Sequence, residues 1–288
     1  MFGESKFSVL EKIPISIKPK AILIHHPASP ELVIQKIKDN HLPFPLIFKP
    51  DLGERGWMVK KIKSEKDLSA YLKISNWDFI VQEYVDLPLE FSVYYARHPK
   101  KENGNITSLT MKEMLKVTGD GHSKLSELIL AKDRAKLQWS VLKNTYAQQL
   151  DDIPADGEVI ELVSVGNHCL GTTFINKKDI ITTKMVESFD RISKQIEGFY
   201  FGRYDLRVES ISNLEHGKVM VMELNGCGAE PSHIYHPGAS LIDAIRDLFT
   251  HWSTIYSISK ANHEKGVPYL SFVKGIKVYK KFKGVTNS

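Results

Sequence analysis

Phe201-Gly-Arg-Tyr-Asp-Leu-Arg207 and, after a polar turn, Val219-Met-Val-Met-Glu-Leu-Asn225-Gly226 are the two stretches that decide the reading of this chain. If both are strands, side-chain alternation sets Arg203 and Asp205 on one face of the first, and Glu223 and Asn225 on one face of the second. A hairpin would gather the four polar groups. Two carboxylates and an amide oxygen are hard ligands of the kind Mg²⁺ takes, with water and phosphate completing its shell. An arginine beside them would offset negative charge on a transferring phosphoryl group. The same residues fit a solvated hairpin with a surface salt bridge equally well, but the apolar Val219, Val221 and Leu224 weigh against full exposure.

Working outward, Pro45-Leu-Ile-Phe-Lys-Pro50 is an apolar strand that ends on Lys49 and runs directly into Asp51-Leu-Gly-Glu-Arg-Gly56. A lysine at a strand end can reach a phosphate, and Gly53 and Gly56 let backbone N–H groups approach phosphate oxygens. The G-x-x-x-x-G-K-[ST] loop is absent, and on spacing alone a plain hairpin turn is the simpler reading. Phe79-Ile-Val-Gln-Glu-Tyr-Val85 then leads to Glu90. An extended segment can offer N–H and C=O to a purine edge, and a carboxylate beyond it can accept from both ribose hydroxyls. Alone, this too reads as a buried strand followed by a surface glutamate.

The rest of the chain alternates in type. Ala21–His25, Met58–Ile62, Leu89–Arg97, Glu158–Val165 and Lys218–Leu224 read as strands. Ser29-Pro30 opens a helix with Leu32, Val33 and Ile37 on one face, and Ser64-Glu-Lys-Asp67 resembles a capping box. A long helical stretch is expected over 123–150, and another carries Met185, Val186, Phe189, Ile192 and Ile196 before Gly198. Ser240–His263 is expected to bury Leu241, Ile245, Leu248, Trp252, Ile255 and Tyr256, with Trp252 and Tyr256 in the core. Strands and helices are mixed, so the class is α+β or α/β. A seam near Asp86-Leu-Pro88 divides the chain into 1–86 and 87–288.

The order of these signals is more specific than any one of them. Lysine and glycine loop, then Gln-Glu-Tyr-Val and Glu90, then Arg-x-Asp, then Glu-x-Asn: the series resembles the ATP-grasp superfamily, in its D-alanine–D-alanine ligase-like, carboxylate–amine ligase branch. The likeness covers nearly the whole chain, beginning at Gly3-Glu-Ser-Lys6. It implies two α+β subdomains with ATP held between antiparallel sheets, a small lid over 1–86 and a larger subdomain over 87–288. It also implies roles for single residues. Lys6 and Lys49 would contact ATP phosphates, and Gly53, Glu54, Arg55 and Gly56 would close over them. Glu83 and Val85 would read adenine, with Gln82 and Tyr84 beside them, and Glu90 would hold the ribose. Asp205, Glu223 and Asn225 would bind two Mg²⁺ ions, and Arg203 would stabilise the phosphoryl group in transfer. The implied activity is ADP-forming ligation of a carboxylate to an amine through an acyl phosphate. The alternatives are a non-catalytic ATP-binding module and a small-molecule kinase. The family usually carries a Rossmann-like domain before its first ATP lysine. With that lysine at Lys6, either a truncated chain or a minimal variant is expected.

Further substrate candidates are Arg97, Lys112, Lys116, His168, Glu230 and His233. Lys116 precedes Gly119-Asp-Gly121, which resembles the V-x-G-D-G stretch of amide-forming relatives such as cyanophycin synthetases; a surface turn capping a helix at Ser123 is an equal reading. For Arg97 a rim salt bridge, and for His168 a hydrogen-bonded strand end, are the simpler assignments.

Composition excludes little. The chain has 288 residues, is 42% hydrophobic and 25% charged, and carries a net charge of +5. The lysines are spread, which argues against nucleic acid. The densest run, Lys274, Lys277, Lys280, Lys281 and Lys283, reads first as a solvated face and only distantly as a membrane-surface patch. Two cysteines and no signal-peptide pattern give the expectation of a reducing, cytoplasmic setting. The partners expected are small carboxylate and amine substrates with ATP and Mg²⁺, without nucleic acid or membrane. A homodimer is carried over by analogy alone.

Overall fold

The computed structural model describes residues 4–54, 56–163 and 166–286. Arg55, expected in the phosphate loop, lies outside them, as do residues 164 and 165 at the end of an expected strand. The chain divides into two compact units, residues 1–111 with 176–288, and residues 112–175.

The larger unit opens with α1 (Lys6–Glu11), β1 (Ala21–Ile24), α2 (Pro30–Asp39), β2 (Leu46–Pro50), β3 (Lys60–Ile62), α3 (Glu65–Ile74) and β4 (Phe79–Glu83). The four strands form a sheet in the order β1-β4-β2-β3, antiparallel at each pairing. Its hydrophobic face is covered by α2 and α3, through Val33, Ile37, Leu68 and Tyr71 packed on Ile24, Phe48, Phe79 and Val81. The caps are as expected: Ser29 accepts from the Leu32 N–H, Pro30 stands at the first helical position, and Ser64 accepts from the Asp67 N–H. Two details differ. Leu32 is exposed rather than part of the buried face. The Asp67 carboxylate takes the N–H of Lys63, so the reciprocal half of the capping box does not form. The strand expected from Met58 starts at Lys60, because Gly56 and Met58 both have positive φ and hold a turn.

A second sheet follows from β5 (Leu89–Ala96) and β6 (Asn105–Glu113). The smaller unit then carries β7 (Lys116–Thr118), α4 (Leu125–Ala131), α5 (Asp133–Lys136), α6 (Trp139–Thr145) and β8 (Val159–Glu161), and reaches into β9 (Thr173–Asn176). After it come α7 (Thr183–Lys194), β10 (Phe201–Val208), α8 (Ile211–Glu215), β11 (Met220–Asn225), α9 (Leu241–Glu264) and α10 (Phe272–Thr286). In this second sheet β11, β10, β5 and β6 lie in that order. Period-two alternation splits its residues cleanly. Phe91, Val93 and Tyr95 of β5 and Tyr204, Leu206 and Val208 of β10 face the core, under Met185, Phe189 and Ile192 of α7. Leu10 and Ile13 join the same cluster, so α1, first in sequence, packs with the second sheet.

Two helical expectations are corrected. The stretch 123–150 is three short helices, because Lys132 takes an extended backbone and the small cluster of Leu125, Ile129, Ala135 and Leu142 needs the chain to turn over it. α9 starts one residue later than expected, with Ser240 as its cap, and buries His251, Ile255, Ile258 and Ala261. Leu241, Ile245, Trp252 and Tyr256 are exposed, Trp252 at 51% and Tyr256 at 70%, so neither aromatic is core. The helix packs along a stripe displaced from the one the apolar residues mark. Among the described residues, no helix is long and apolar enough to cross a membrane.

In the smaller unit, Asp120 accepts from the backbone and hydroxyl of Ser123 and from the His122 N–H. Those bonds, Ser123 first, hold its carboxyl well below the usual range. The Gly119-Asp-Gly121 segment is thus a self-bonded turn ahead of α4. A Cβ at Gly119 would lie 2.2 Å from the Ala155 carbonyl oxygen. Gly119→Ala is therefore expected to destabilise residues 112–175 by about 2–3 kcal/mol, seen as faster amide exchange confined to that unit.

Candidate functional site

The residues of β5 and β10 that do not face the core form the floor of the site. Across β11, β10 and β5, one row reads Asn225, Arg203, Tyr94; the next reads Glu223, Asp205, Ser92; and Arg207 stands opposite Glu90. These rows depend on an irregularity. Asp205 pairs with Glu223 but Leu206 pairs with Val221, so Met222 is an extra residue, a β-bulge. Without it Val221 and Glu223 would share a face. With it Val221 enters the core while Glu223 turns to the polar side.

Asp205 is the hub of this floor. It accepts from the Asn225 amide at 2.8 Å, from Arg203 at 3.1 Å, and from the Ser92 hydroxyl. Arg203 also donates to the Glu230 carbonyl at 3.2 Å. Burial works against the charge of Arg203, but Asp205 and Glu223 outweigh it and hold the guanidinium more firmly protonated. Its Nε is buried without a partner, and so is the hydroxyl of Tyr94, its neighbour across the strand pair. Tyr94 is 2% exposed, rests edge-on against His251 at 4.7 Å, and has its phenol pushed up by burial. Two donors with nothing to donate to, side by side, suit an oxyanion.

From the first sheet, Lys49 at the end of β2 reaches this floor. Its ammonium donates to the carbonyl of the bulged Met222 at 3.1 Å. Lys49 is 8% exposed, and burial pulls its pKa down to about 8 against the upward pull of Glu223. Lys6 is close enough to add to the depression, and Asp51 and Asp205 to oppose it. The glycine loop is tied to α1 in the same place. Asp51 accepts from the Ser5 hydroxyl and the Phe7 N–H, its carbonyl accepts from the Lys6 N–H, and the Lys6 ammonium donates to the Gly53 carbonyl. Gly53 has a positive φ, and a Cβ there would press on Trp57. The Trp57 ring in turn lies 4.5 Å from that of Trp77.

The segment expected to read adenine is braced. Glu83 is bonded to the backbone of Lys20 at both its N–H and its carboxylate. Gln82 is buried, with its side-chain oxygen unpartnered. Tyr84 lies between cations, with Lys61 at 3.5 Å and Arg207 at 5.7 Å from its ring centroid. The Val85 carbonyl accepts from Arg207 at 2.9 Å, which fixes the peptide that joins Val85 to Asp86. Glu90 is in a buried pair with Arg207 at 3.0 Å rather than standing on the surface.

Lys6, Lys49, Gly53, Arg203, Asp205, Glu223 and Asn225 are therefore brought together. Among the other candidates, Glu230 accepts from the Tyr235 hydroxyl and its carbonyl braces Arg203. Arg97 lies over the Tyr200 ring at 4.7 Å with a buried, unpartnered Nε. His233 is buried between the Ser108 hydroxyl and Asp247, a tie from the loop after β11 to β6 and α9; burial draws its pKa down, Asp247 notwithstanding. Lys112, Lys116 and His168 stand in the 112–175 unit. There Lys112 and His168 flank the Phe174 ring, and the Lys116 carbonyl accepts from Lys132. Sequence reasoning missed Ser92, Tyr94 and Arg207, although each shares strand parity with a residue it singled out.

Mg²⁺ suits the floor. Among the described residues no group of three or more His, Cys, Asp or Glu is gathered. Two carboxylates directly opposite each other on adjacent strands, flanked by an amide, are instead the sparse oxygen set of a phosphate-bound Mg²⁺. Like charges in that relation repel, and a cation between them would relieve it.

No family model matches the chain, and no curated protein sequence matches it. Solved structures do. The chain aligns over 91% of its length with 67% of the D-alanine–D-alanine ligase from Bacillus anthracis, at 12% identity and a TM-score of 0.47. It aligns over 87% with 62% of the VanG D-Ala:D-Ser ligase from Enterococcus faecalis, at 12% identity and 0.48. For the ATP-grasp ligase PsnB complexed with minimal precursor the figures are 88%, 61%, 13% and 0.45. The chain spans about 61% to 67% of the length of those three.

A stability prediction follows from Lys49. Its folded pKa, about 8, lies below the ordinary lysine value of 10.5. The charged form is thus disfavoured by folding, fully so below about pH 8, and the penalty fades as pH rises towards 10.5. In chelator-treated protein, Lys49→Met is expected to raise stability by about 1–3 kcal/mol at pH 7, a gain that shrinks steadily from pH 8 to 10. Urea melts across that range check it; a gain independent of pH would contradict the burial account.

Proposed function

We propose that the chain is the nucleotide-binding and catalytic portion of an ATP-dependent carboxylate–amine ligase that forms ADP through an acyl phosphate. The observation that carries this reading is the Lys49 ammonium seated on the carbonyl next to Glu223. A cation suited to phosphate and carboxylates suited to metal occupy one place, contributed by two sheets.

In this reading Lys6, Lys49 and the backbone of the 53–56 loop hold the triphosphate. Segment 82–85 takes adenine, and Glu90, positioned by Arg207, takes the ribose. Asp205, Glu223 and Asn225 hold Mg²⁺, which when bound neutralises charge on the phosphate oxygens. A carboxylate oxygen of the substrate attacks the γ-phosphorus, the bond to ADP breaks, and an acyl phosphate forms. An amine then attacks the acyl carbon and phosphate departs with its bonding electron pair, the amine proton passing to solvent. Arg203, anchored by Asp205 and the Glu230 carbonyl, and Tyr94 beside it donate to the oxygens that gain charge in both steps. The β1–β4 sheet serves as the lid that keeps water from the anhydride.

ADP release with Mg-ATP and a panel of amino acids and short peptides tests this. Glu223→Ala and Asp205→Ala are expected to lose turnover by on the order of 10³-fold while keeping the parent's thermal melt. Loss of fold in both would make the carboxylates structural. Tyr94→Phe is expected to lower kcat by roughly 10- to 100-fold with Mg-ATP affinity unchanged. Mass analysis of the product separates an amide with free phosphate from the phosphoester of a kinase. Tight Mg-ATP binding without turnover across the panel would favour a non-catalytic module.

A further inference from the structure

The nucleotide site makes no use of the last helix, whose composition is unusual. α10 carries five lysines and no carboxylate across residues 272–286. Phe282 is buried, and Gly275 and Val278 are half-buried at helical spacing from it, so that side is the one by which the helix packs. Phe272, Ile276 and Tyr279 follow an i, i+4, i+7 spacing on a different side and are exposed, Phe272 at 82%. Val273 is exposed beside them, as are Tyr269 and Leu270 just ahead of the helix. Leu270, Phe272, Gly275, Ile276 and Tyr279 line an open apolar groove.

A solvated lysine face, the reading the sequence suggested, would not carry this strip. Apolar side chains facing water on a helix whose remaining surface is cationic are the pattern of a helix lying in a membrane interface. The strip enters the boundary between headgroups and acyl chains, while lysine stems cross it and leave their ammoniums among the phosphates. Exposed Phe272, Tyr269 and Tyr279 suit that depth. At 15 residues α10 is too short to span a bilayer. The absence of any acidic side chain on it favours an anionic surface over a neutral one.

We propose that α10, with Tyr269 and Leu270 leading into it, docks the protein on an anionic lipid surface. This departs from the expectation of no membrane partner, and it does not depend on the ligase reading.

Co-sedimentation of the full chain with vesicles tests the inference. One set is phosphatidylcholine alone, and the other contains about a third phosphatidylserine. At least about tenfold tighter binding to the anionic set is expected at physiological salt, weakening as salt rises. Ile276→Glu should abolish binding, and Lys274→Glu with Lys277→Glu should weaken it about tenfold. All variants should keep the parent's thermal melt, measured without vesicles. Equal binding to the two vesicle sets, or none at millimolar lipid, would overturn the proposal. So would a lipid-free dimer in sedimentation velocity that Ile276→Glu converts to monomer, because the strip would then belong to a second copy of the chain.

Discussion

The hydrogen bond from the Lys49 ammonium to the Met222 carbonyl is made at the one residue by which β11 exceeds its partner strand. The same bulge turns Glu223 away from the core that Val221 enters. One inserted residue thus bears on the facing of Glu223 and Asp205, on the seat of the Lys49 ammonium and on the contact between two sheets. A change that regularised β11 would damage all three together, although none of the residues named would have been altered.

The site also concentrates unfavourable electrostatics. Asp205 and Glu223 face each other, Lys49 is buried with its charge disfavoured, and the Arg203 Nε and Tyr94 hydroxyl lack partners. Each costs folding free energy, and a bound cation or oxyanion would relieve it. Around this centre the bonds are well made. Arg207 joins Glu90 to Val85, and His233 joins Ser108 to Asp247. Unpartnered polar atoms are not confined to this centre, since Tyr71, Trp77 and Arg97 also bury one each.

Much of the frame was legible in the sequence because alternation and capping are local. The strands around Arg203, Asp205, Glu223 and Lys49, the Ser29 and Ser64 caps and the mixed class all follow from nearest neighbours in the chain. What was hidden depends on pairing. The bulge is a relation between two strands, so no pattern within 219–226 shows it. Tyr94 and Arg207 gain their roles only once β5 lies beside β10. The break of 123–150 into three helices answers to a small local core. The exposed stripe of α9 shows the converse: apolar spacing marks a face without saying whether the fold covers it.

Trp57 is placed where it can report on the loop that carries Gly53 and Gly56. It follows Gly56 directly, lies beside Gly53, and touches Trp77, which precedes β4. Two indoles this near couple their electronic transitions, and the coupling falls steeply with small changes in separation or tilt. Any rearrangement of the loop about a nucleotide would move one ring of the pair and leave the other fixed to the sheet. The near-ultraviolet dichroism of the unlabelled protein would then follow loop position continuously, without an attached probe.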